Sequence, residues 1–258
     1  MNNVYIMSAN RSAIGGFGGT LKNHCPVDLG TLVAKEAIAR SGFEANEVEH
    51  AVFGNVIHTE PRDMYVSRVI ALQAGMDKAS AALTVNRLCG SGLQAIVSAS
   101  QILMLGDASV AIAGGVEVMS NGAHIVQGFR WGSRMGDGQV HDMMLGALHD
   151  PFGHGHMGIT AENISSRYQI SREMQDEFAL NSQIRAHKAI ENGVFKDQIL
   201  PIEIKTRKGI EVFEIDEHPK PETSMETLTG LRTAFKKDGV VTAGNASGIN
   251  DGAAALVL

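Results

Sequence analysis

ALTVNRLCGSGLQAIVSASQILMLGDASVAIAGG, residues 82–115, carries the pattern on which the fold turns. Ala82 to Val85 is a short apolar run with a β-branched residue and reads as a strand. A polar turn follows, and Gly90 to Leu105 then reads as a helix. Its apolar stripe is formed by Leu93, Ile96, Val97, Leu103 and Met104. Val110 to Ala113 reads as a second strand, closed by Gly114-Gly115. Strand, helix and strand in this order argue for a parallel or mixed sheet with helices on its faces, an α/β architecture.

The alternation extends toward the N-terminus. Val4 to Met7 reads as a buried strand, and Gly15-Gly16-Phe17-Gly18-Gly19 as a turn-forming loop. Pro26 to Arg40 reads as a helix: Pro26 suits a first helical turn, Leu29, Leu32, Val33 and Ala37 share a face, and Gly42 stands at the C-cap. Ala51 to Ile57 reads as a strand, and Met64 to Ala74 as a helix ending at Gly75.

Beyond Ser120 the texture changes. Residues 121–158 are rich in Gly, His and Met and show little periodicity. Ser171 is placed to cap a helix running to about Glu191, with Glu173 and Asp176 near its positive end. Ile199 to Ile204 is strand-like, 205–240 is charged and irregular, and Gly252 to Leu258 is a last strand. The expected division is an α/β core over 1–118, an inserted loop domain over 119–249, and a strand over 250–258 that returns to the core. The stop at Leu258, inside an apolar run, reads as a truncation.

Composition narrows the function classes. The chain has 258 residues, with 22 Lys and Arg against 28 Asp and Glu and a net charge of −6. That balance disfavours general nucleic-acid binding, which depends on neutralising phosphates. No run approaches the roughly 18 apolar residues of a membrane span, and Met1 to Met7 lacks the basic flank of a signal peptide. Cys25 and Cys89 are the only cysteines, too few for a disulfide framework, so a reducing, cytoplasmic setting is expected.

Asn86-Arg87-Leu88-Cys89-Gly90-Ser91-Gly92 is the strongest chemical signal. It joins a strand to a helix and places a thiol at the helix N-terminus, where free N–H groups favour a thiolate. The flanking glycines leave room for a carbonyl to approach sulfur. Small buried hydrophobe is the plainer use of a free cysteine. Cys25, before Pro26, lacks the glycines and reads as an inert packed thiol. His154-Gly155-His156-Met157-Gly158 has no metal-ligand spacing and suits a pocket wall; no metal is expected. The loop of Gly15 to Gly19 lacks phosphate-binding spacing. Thr242 to Gly252 is small, polar and glycine-rich, suited to close approach of a ligand or to a tight loop.

Four segments, in order, resemble the thiolase family: Asn86 to Gly92, Gly114 to Ser120, His156 to Asn163, and Thr242 to Gly252. The resemblance spans the chain. It implies a thiolase-like, five-layered fold of two similar halves with a loop domain, of which this chain matches the first half and the loop domain. It also implies that Cys89 is the acyl-accepting nucleophile. Leu148, His156 and Met157 match the segment lining the coenzyme A pocket, and Ala243 and Ser247 match positions at the pantetheine amides. Phe235 matches a residue near the adenine, Lys220 one that reaches the phosphates, and Thr227 one at the adenosine. Lys205, Arg207, Lys208, Lys236 and Lys237 add local positive charge. Thr233 stands where relatives commonly carry Pro. The family's catalytic Asn, His and second Cys motifs are absent from these residues.

The activity implied is ping-pong acyl transfer: condensation of two acetyl-CoA to acetoacetyl-CoA, or thiolysis of a 3-oxoacyl-CoA, through a Cys89 acyl-enzyme. These residues alone are expected to be inactive. Coenzyme A and acyl-CoA enter as substrates, with no further cofactor, and a homodimer or homotetramer is expected. The alternatives are a broad-specificity 3-ketoacyl-CoA thiolase of fatty-acid degradation and a non-catalytic CoA-binding protein.

Overall fold

The computed structural model describes residues 3–258. Part of the signal-peptide reading falls on Met1 and Asn2, outside the described residues. The strands are β1 (Ser8–Ser12), β2 (Gly15–Gly16), β3 (His50–Gly54), β4 (Ala81–Val85), β5 (Ala111–Val118), β6 (His124–Val126), β7 (Val140–Asp142), β8 (His149–Asp150), β9 (Gly155–His156), β10 (Ile199–Leu200), β11 (Ile202–Thr206), β12 (Gly209–Phe213) and β13 (Asn250–Val257). The helices are α1 (Pro26–Ser41), α2 (Val66–Gln73), α3 (Ser91–Leu105), α4 (Met143–Ala147), α5 (Met157–Tyr168), α6 (Arg172–Glu191) and α7 (Met225–Thr229).

The central sheet runs β10-β1-β13-β5-β3-β4, with β2 also paired to β13. β3, β4 and β5 are mutually parallel, and β13 lies antiparallel between β1 and β5. β10, from within the segment 119–249, pairs with β1 in the same sheet. The sheet is therefore mixed, as the alternation implies.

Each face of the sheet has its own helices. Val27, Val33 and Ala37 of α1 and Val66 and Ile70 of α2 share one buried cluster with Phe53, Ile112, Val118 and Val257. Ala95, Ala99 and Leu103 of α3 share another with Val52, Ala111 and Ala113. The pleat explains the split, since Val52 and Phe53, or Ala111 and Ile112, point to opposite faces.

Several expectations are met closely. Pro26 opens α1, and Gly42 caps it in the left-handed conformation with φ 84°. Ser171 caps α6 by accepting from Met174 N–H.

Others are corrected. The first strand is Ser8–Ser12, not Val4 to Met7, and Tyr5 is 67% exposed. Register with β13 selects the polar segment: Ser8 lies opposite Val257 and Asn10 opposite Ala255. The helix expected from Met64 begins at Val66, after a 3-10 turn over Pro61–Tyr65.

Gly114-Gly115 does not close β5, which runs on to Val118. A Cβ at Gly114 would stand 2.4 Å from both Ala254 O and the Phe53 ring, so the glycine is where strand and aromatic ring meet. The apolar stripe assigned to α3 is met in part: Leu103 is buried and Ile96 packs against the core, but Leu93 and Val97 face outward. The buried face of α3 is Ser91, Ala95, Ala99 and Leu103, while Leu93 is 69% exposed. Small residues on α3 and on β5 let helix and sheet approach closely, and Leu93 and Val97 are turned outward. By length and composition alone Leu88–Leu105 would suffice to cross a membrane, with mean hydropathy 1.5; here one face lies on the sheet.

The loop at Gly15 to Gly19 is more than a bland turn. β2 pairs Gly16 with Asn250, and a 3-10 turn follows over Thr20–Asn23. Between 121 and 158, and between 205 and 240, the expected irregular chain contains short paired strands and the helices α4 and α7.

Candidate active site

The strand-to-helix turn after β4 is built around Ser91. Its hydroxyl accepts from Arg87 N–H at 2.8 Å and donates to Leu88 O at 2.6 Å. Asn86 Oδ1 accepts from Leu88 N–H, and Arg87 Nη1 donates to Gln94 Oε1. Leu88 sits at φ 49°, in the left-handed region that a leucine seldom occupies. A non-glycine residue held there by its surroundings marks stored strain, common at reactive turns. Cys89 follows at once and is exposed. Gly90 is the N-cap of α3, so the thiol stands one position before the cap and two before the first helical residue, Ser91.

A cleft of about 470 Å³ opens at Cys89. Leu88, Cys89 and Gly92 form one wall, Val56, Ile57 and Glu117 another, and Ala147 and Leu148 a third. Arg11, Asn250 and Asp251 reach it from β1 and β13. A larger hollow, about 610 Å³, lies elsewhere, among Arg40, Ile190, Phe195, Ile199, Pro201 and Ile215. It has no nucleophile, so chemistry is assigned to the smaller cleft.

The charged residues of the cleft are tied down. Arg11 makes two hydrogen bonds to the Asp216 carboxylate, at 2.7 and 3.0 Å, and lies 5.3 Å from the Phe195 ring centre. Asp251 accepts from the Ser120 N–H and hydroxyl. Glu117 accepts from Asn55 Nδ2 at 3.0 Å, Val56 N–H at 3.0 Å and Ile57 N–H at 2.9 Å. Burial nevertheless dominates those bonds and pushes its carboxyl up to about 7.

The other expected binding residues fall into two groups. In the first, Met157 N–H donates to Leu148 O at 2.8 Å, joining the cleft wall to the start of α5. His156 stacks on Phe235 with ring centres 4.7 Å apart, and His149 meets His156 edge-on. His156 Nδ1 accepts from Gly158 N–H and so caps α5. Partial burial and the neighbouring His149 hold its pKa down, which suits the neutral ring that this cap requires.

The second group lies along 217–248. Lys220 is exposed, its N–H donating to Gln183 Oε1, and its carbonyl accepts from Thr223. Thr227 forms a reciprocal cap with Ser224 at α7. Ala243 and Ser247 are exposed on the segment that leads into β13. That segment is fixed from behind: Glu162 accepts from Val240 and Val241 N–H, and Asp176, paired with Arg172, accepts from Asn245 Nδ2. Among the expected residues, only Cys89 and Leu148 line the cleft itself.

Sequence reasoning missed Ser91, Glu117, Arg11 and Asp251. Glu117 had a usable signal, a carboxylate three residues into an otherwise apolar run after Gly114. No group of three or more His, Cys, Asp or Glu is arranged to hold a metal among the described residues.

Comparison with known proteins places this geometry in context. The sequence profile described as "Thiolase, N-terminal domain" matches residues 4–258. The beta-ketothiolase BktB of Cupriavidus necator is 56% identical over 256 residues, covering 99% of this chain and 65% of its own length. The crystal structure of the Bacillus anthracis acetyl-CoA acetyltransferase superposes with a TM-score of 0.95 at 47% identity, covering 100% of this chain and 66% of that one. Human mitochondrial 3-ketoacyl-CoA thiolase in complex with CoA gives 0.93 at 38% identity, over 98% of this chain and 63% of that one. The chain thus spans just under two thirds of the BktB relative.

Proposed function

The chain belongs to the thiolase family, and on that premise we propose that it carries the nucleophile and much of the coenzyme A site of a thiolase-type acyltransferase. One observation supports the reading most: Cys89 is exposed on a strained strand-to-helix turn, at a cleft whose far wall carries Leu148.

In this reading the Cys89 thiolate attacks the thioester carbonyl of an acyl-CoA. The new S–C bond forms as the bond to the CoA sulfur breaks, and CoA leaves as its thiol after taking a proton. The N–H groups of Gly90 and Ser91 are taken by Arg87 O and Leu88 O, so stabilising the developing oxyanion falls to other N–H groups of the site. In the synthetic direction a second acetyl-CoA then loses an α-proton, and its carbanion attacks the acyl-enzyme to give acetoacetyl-CoA and free Cys89. In the degradative direction CoA splits a 3-oxoacyl-CoA by the reverse steps. No histidine lines the cleft among the described residues, and in this reading these residues alone do not turn over.

His156, Met157 and Leu148 hold the acyl-CoA near the thiol. Phe235, matched by resemblance to a residue near the adenine, stacks on His156 and is read with that group of residues instead. Ala243 and Ser247 face the pantetheine, and Thr227 and Lys220 its adenosine and phosphates. The protein works as a homo-oligomer in the cytoplasm.

The test is acetoacetyl-CoA thiolysis by the full-length protein and its Cys89→Ser variant, with labelled acyl groups traced to peptides. Label on the Cys89 peptide and no turnover in the variant are expected. Retained turnover rejects the assignment.

A further inference from the structure

Glu117 is the one carboxylate of the cleft that holds a wall rather than a cation or a hydroxyl. Its two oxygens accept from Asn55 Nδ2 and from the N–H groups of Val56 and Ile57. Asn55 itself is 1% exposed, and its amide also donates to Val116 O. These bonds fix the chain where it leaves β3. The residue just before, Gly54, rests directly on Ser91: a Cβ there would lie 2.7 Å from Ser91 Cβ and 2.8 Å from its carbonyl carbon. Ser91 in turn makes the two hydrogen bonds that close the turn carrying Cys89. A continuous path of contacts therefore joins a carboxylate on β5 to the thiol.

We propose that Glu117 is a positioning residue for Cys89: its ionised carboxylate holds the wall over 55–57, so that Gly54 bears on Ser91 and the strained turn keeps the thiol aimed into the cleft. The proposal rests on Cys89 being the acyl-accepting thiol.

The donor set explains why ionisation matters. All three partners are N–H groups, so they need acceptors on both oxygens. A proton on Oε2 confronts Val56 N–H with a hydroxyl, and that bond is weakened. The ionisable groups around Glu117 are Asp63, from the turn after β3, whose charge adds to the upward shift, and Arg11, Cys89 and Asp251, which line the same cleft. Arg11 is committed to Asp216, and Asp251 to Ser120. The carboxyl titrates near neutrality, so the wall tightens as pH rises through that range.

The experiment compares Cys89 alkylation by iodoacetamide in the full-length protein and its Glu117→Gln variant, across a pH range centred on about 7. The ratio of the two rates removes the ionisation that the thiols share. Losing the Glu117 charge from the same cleft would by itself favour the thiolate and speed the variant, so slowing is the diagnostic sign. The two rates should agree below that pH and diverge above it, the variant becoming about tenfold slower, as expected for losing one charge-assisted hydrogen bond. Turnover should fall through kcat more than KM. A ratio that does not change with pH overturns the proposal.

Hydrogen–deuterium exchange of the wild-type peptide containing Val56 and Ile57 decides the matter if the variant does not fold. Protection of these amides is corrected for intrinsic exchange and taken relative to core amides of β5, so that the loss of global stability cancels. It should grow as pH rises through about 7, and a relative protection that does not change with pH overturns the proposal. Cys89→Ser separates the two levels: if that variant still turns over, the acyl-enzyme reading fails, whatever the Glu117 ratio shows.

Discussion

Gly54 and Ser91 touch so closely that no side chain fits between them: a Cβ on Gly54 would stand 2.7 Å from Ser91 Cβ. The end of β3 is thereby used as an anvil for the first turn of α3. The same pair of strands contributes Gly115, opposite Gly54 in the β3–β5 register. The sheet is thinned at the spot where the helix carrying the thiol comes down on it.

Gly54→Ala should therefore be costly on two counts. We expect a loss of about 1–3 kcal/mol, the usual range for overpacking a tight site. We also expect slower Cys89 alkylation, because Ser91 must move. Denaturant unfolding and timed alkylation check the two effects separately. An alanine variant of unchanged stability would show that the contact relaxes freely.

The two thiols should differ in reactivity. Cys25 is the N-cap of α1, and burial together with a hydrogen bond to Asp28 pushes its thiol up to about 11. Cys89 is exposed on its turn. Peptide mapping after brief iodoacetamide treatment at neutral pH should find the label on Cys89 first. Equal labelling would mean that neither the raised pKa of Cys25 nor the exposure of Cys89 governs the reaction.

Glu117 should leave a mark on stability as well. Its folded-state pKa, about 7, lies above the ordinary 4.5, so the folded protein holds this proton more tightly than the unfolded chain. By linkage its contribution is fully present below pH 4.5 and is lost as pH rises toward about 7. Wild-type stability should fall relative to Glu117→Gln across that window and run parallel above it. Unfolding curves at a series of pH values measure this. A constant difference would mean that Glu117 is ionised throughout. The form proposed to aim the thiol is thus the one that the fold tolerates less.

The stack of His156 on Phe235 gives a handle on coenzyme binding. A Cβ at Gly158 would lie 2.2 Å from the Phe235 ring, so Gly158→Ala must displace that ring. We expect a KM for acyl-CoA raised about tenfold, comparable to losing one aromatic contact, with a smaller change in kcat. Isothermal titration with CoA should show the same weakening. An unchanged KM would remove Phe235 from the binding surface.

How far the sequence carried can be seen residue by residue. Pro26, Gly42 and Ser171 marked helix ends because caps are local chemistry, decided by one residue and its neighbours. The turn at Cys89 was legible for the same reason. The first strand was not: Val4 to Met7 is the more apolar run, but pairing of Ser8 with Val257 selects the polar one, and that partner lies far along the chain. The face of α3 was misread in part because Ala95 and Ala99 carry less hydrophobic signal than Leu93 and Val97, yet only small side chains let the helix reach Ala111 and Ala113. Glu117 stands as a lone carboxylate in an apolar run, but its partners, the Asn55 amide and the N–H groups of Val56 and Ile57, lie on a distant loop that the run itself does not reveal.

The placement of β13 has a consequence for how the molecule comes to exist. Asn250–Val257 is the wedge between β1 and β5, which do not pair with each other. During synthesis those two strands emerge well before their common neighbour, and each presents an open edge while the intervening segment is made. Pairings of such long sequence separation are slow to form. Unpaired edges meanwhile are templates for association with other chains. The nascent protein therefore passes through an interval in which its core is translated but cannot close, and there a holding chaperone would have most to protect.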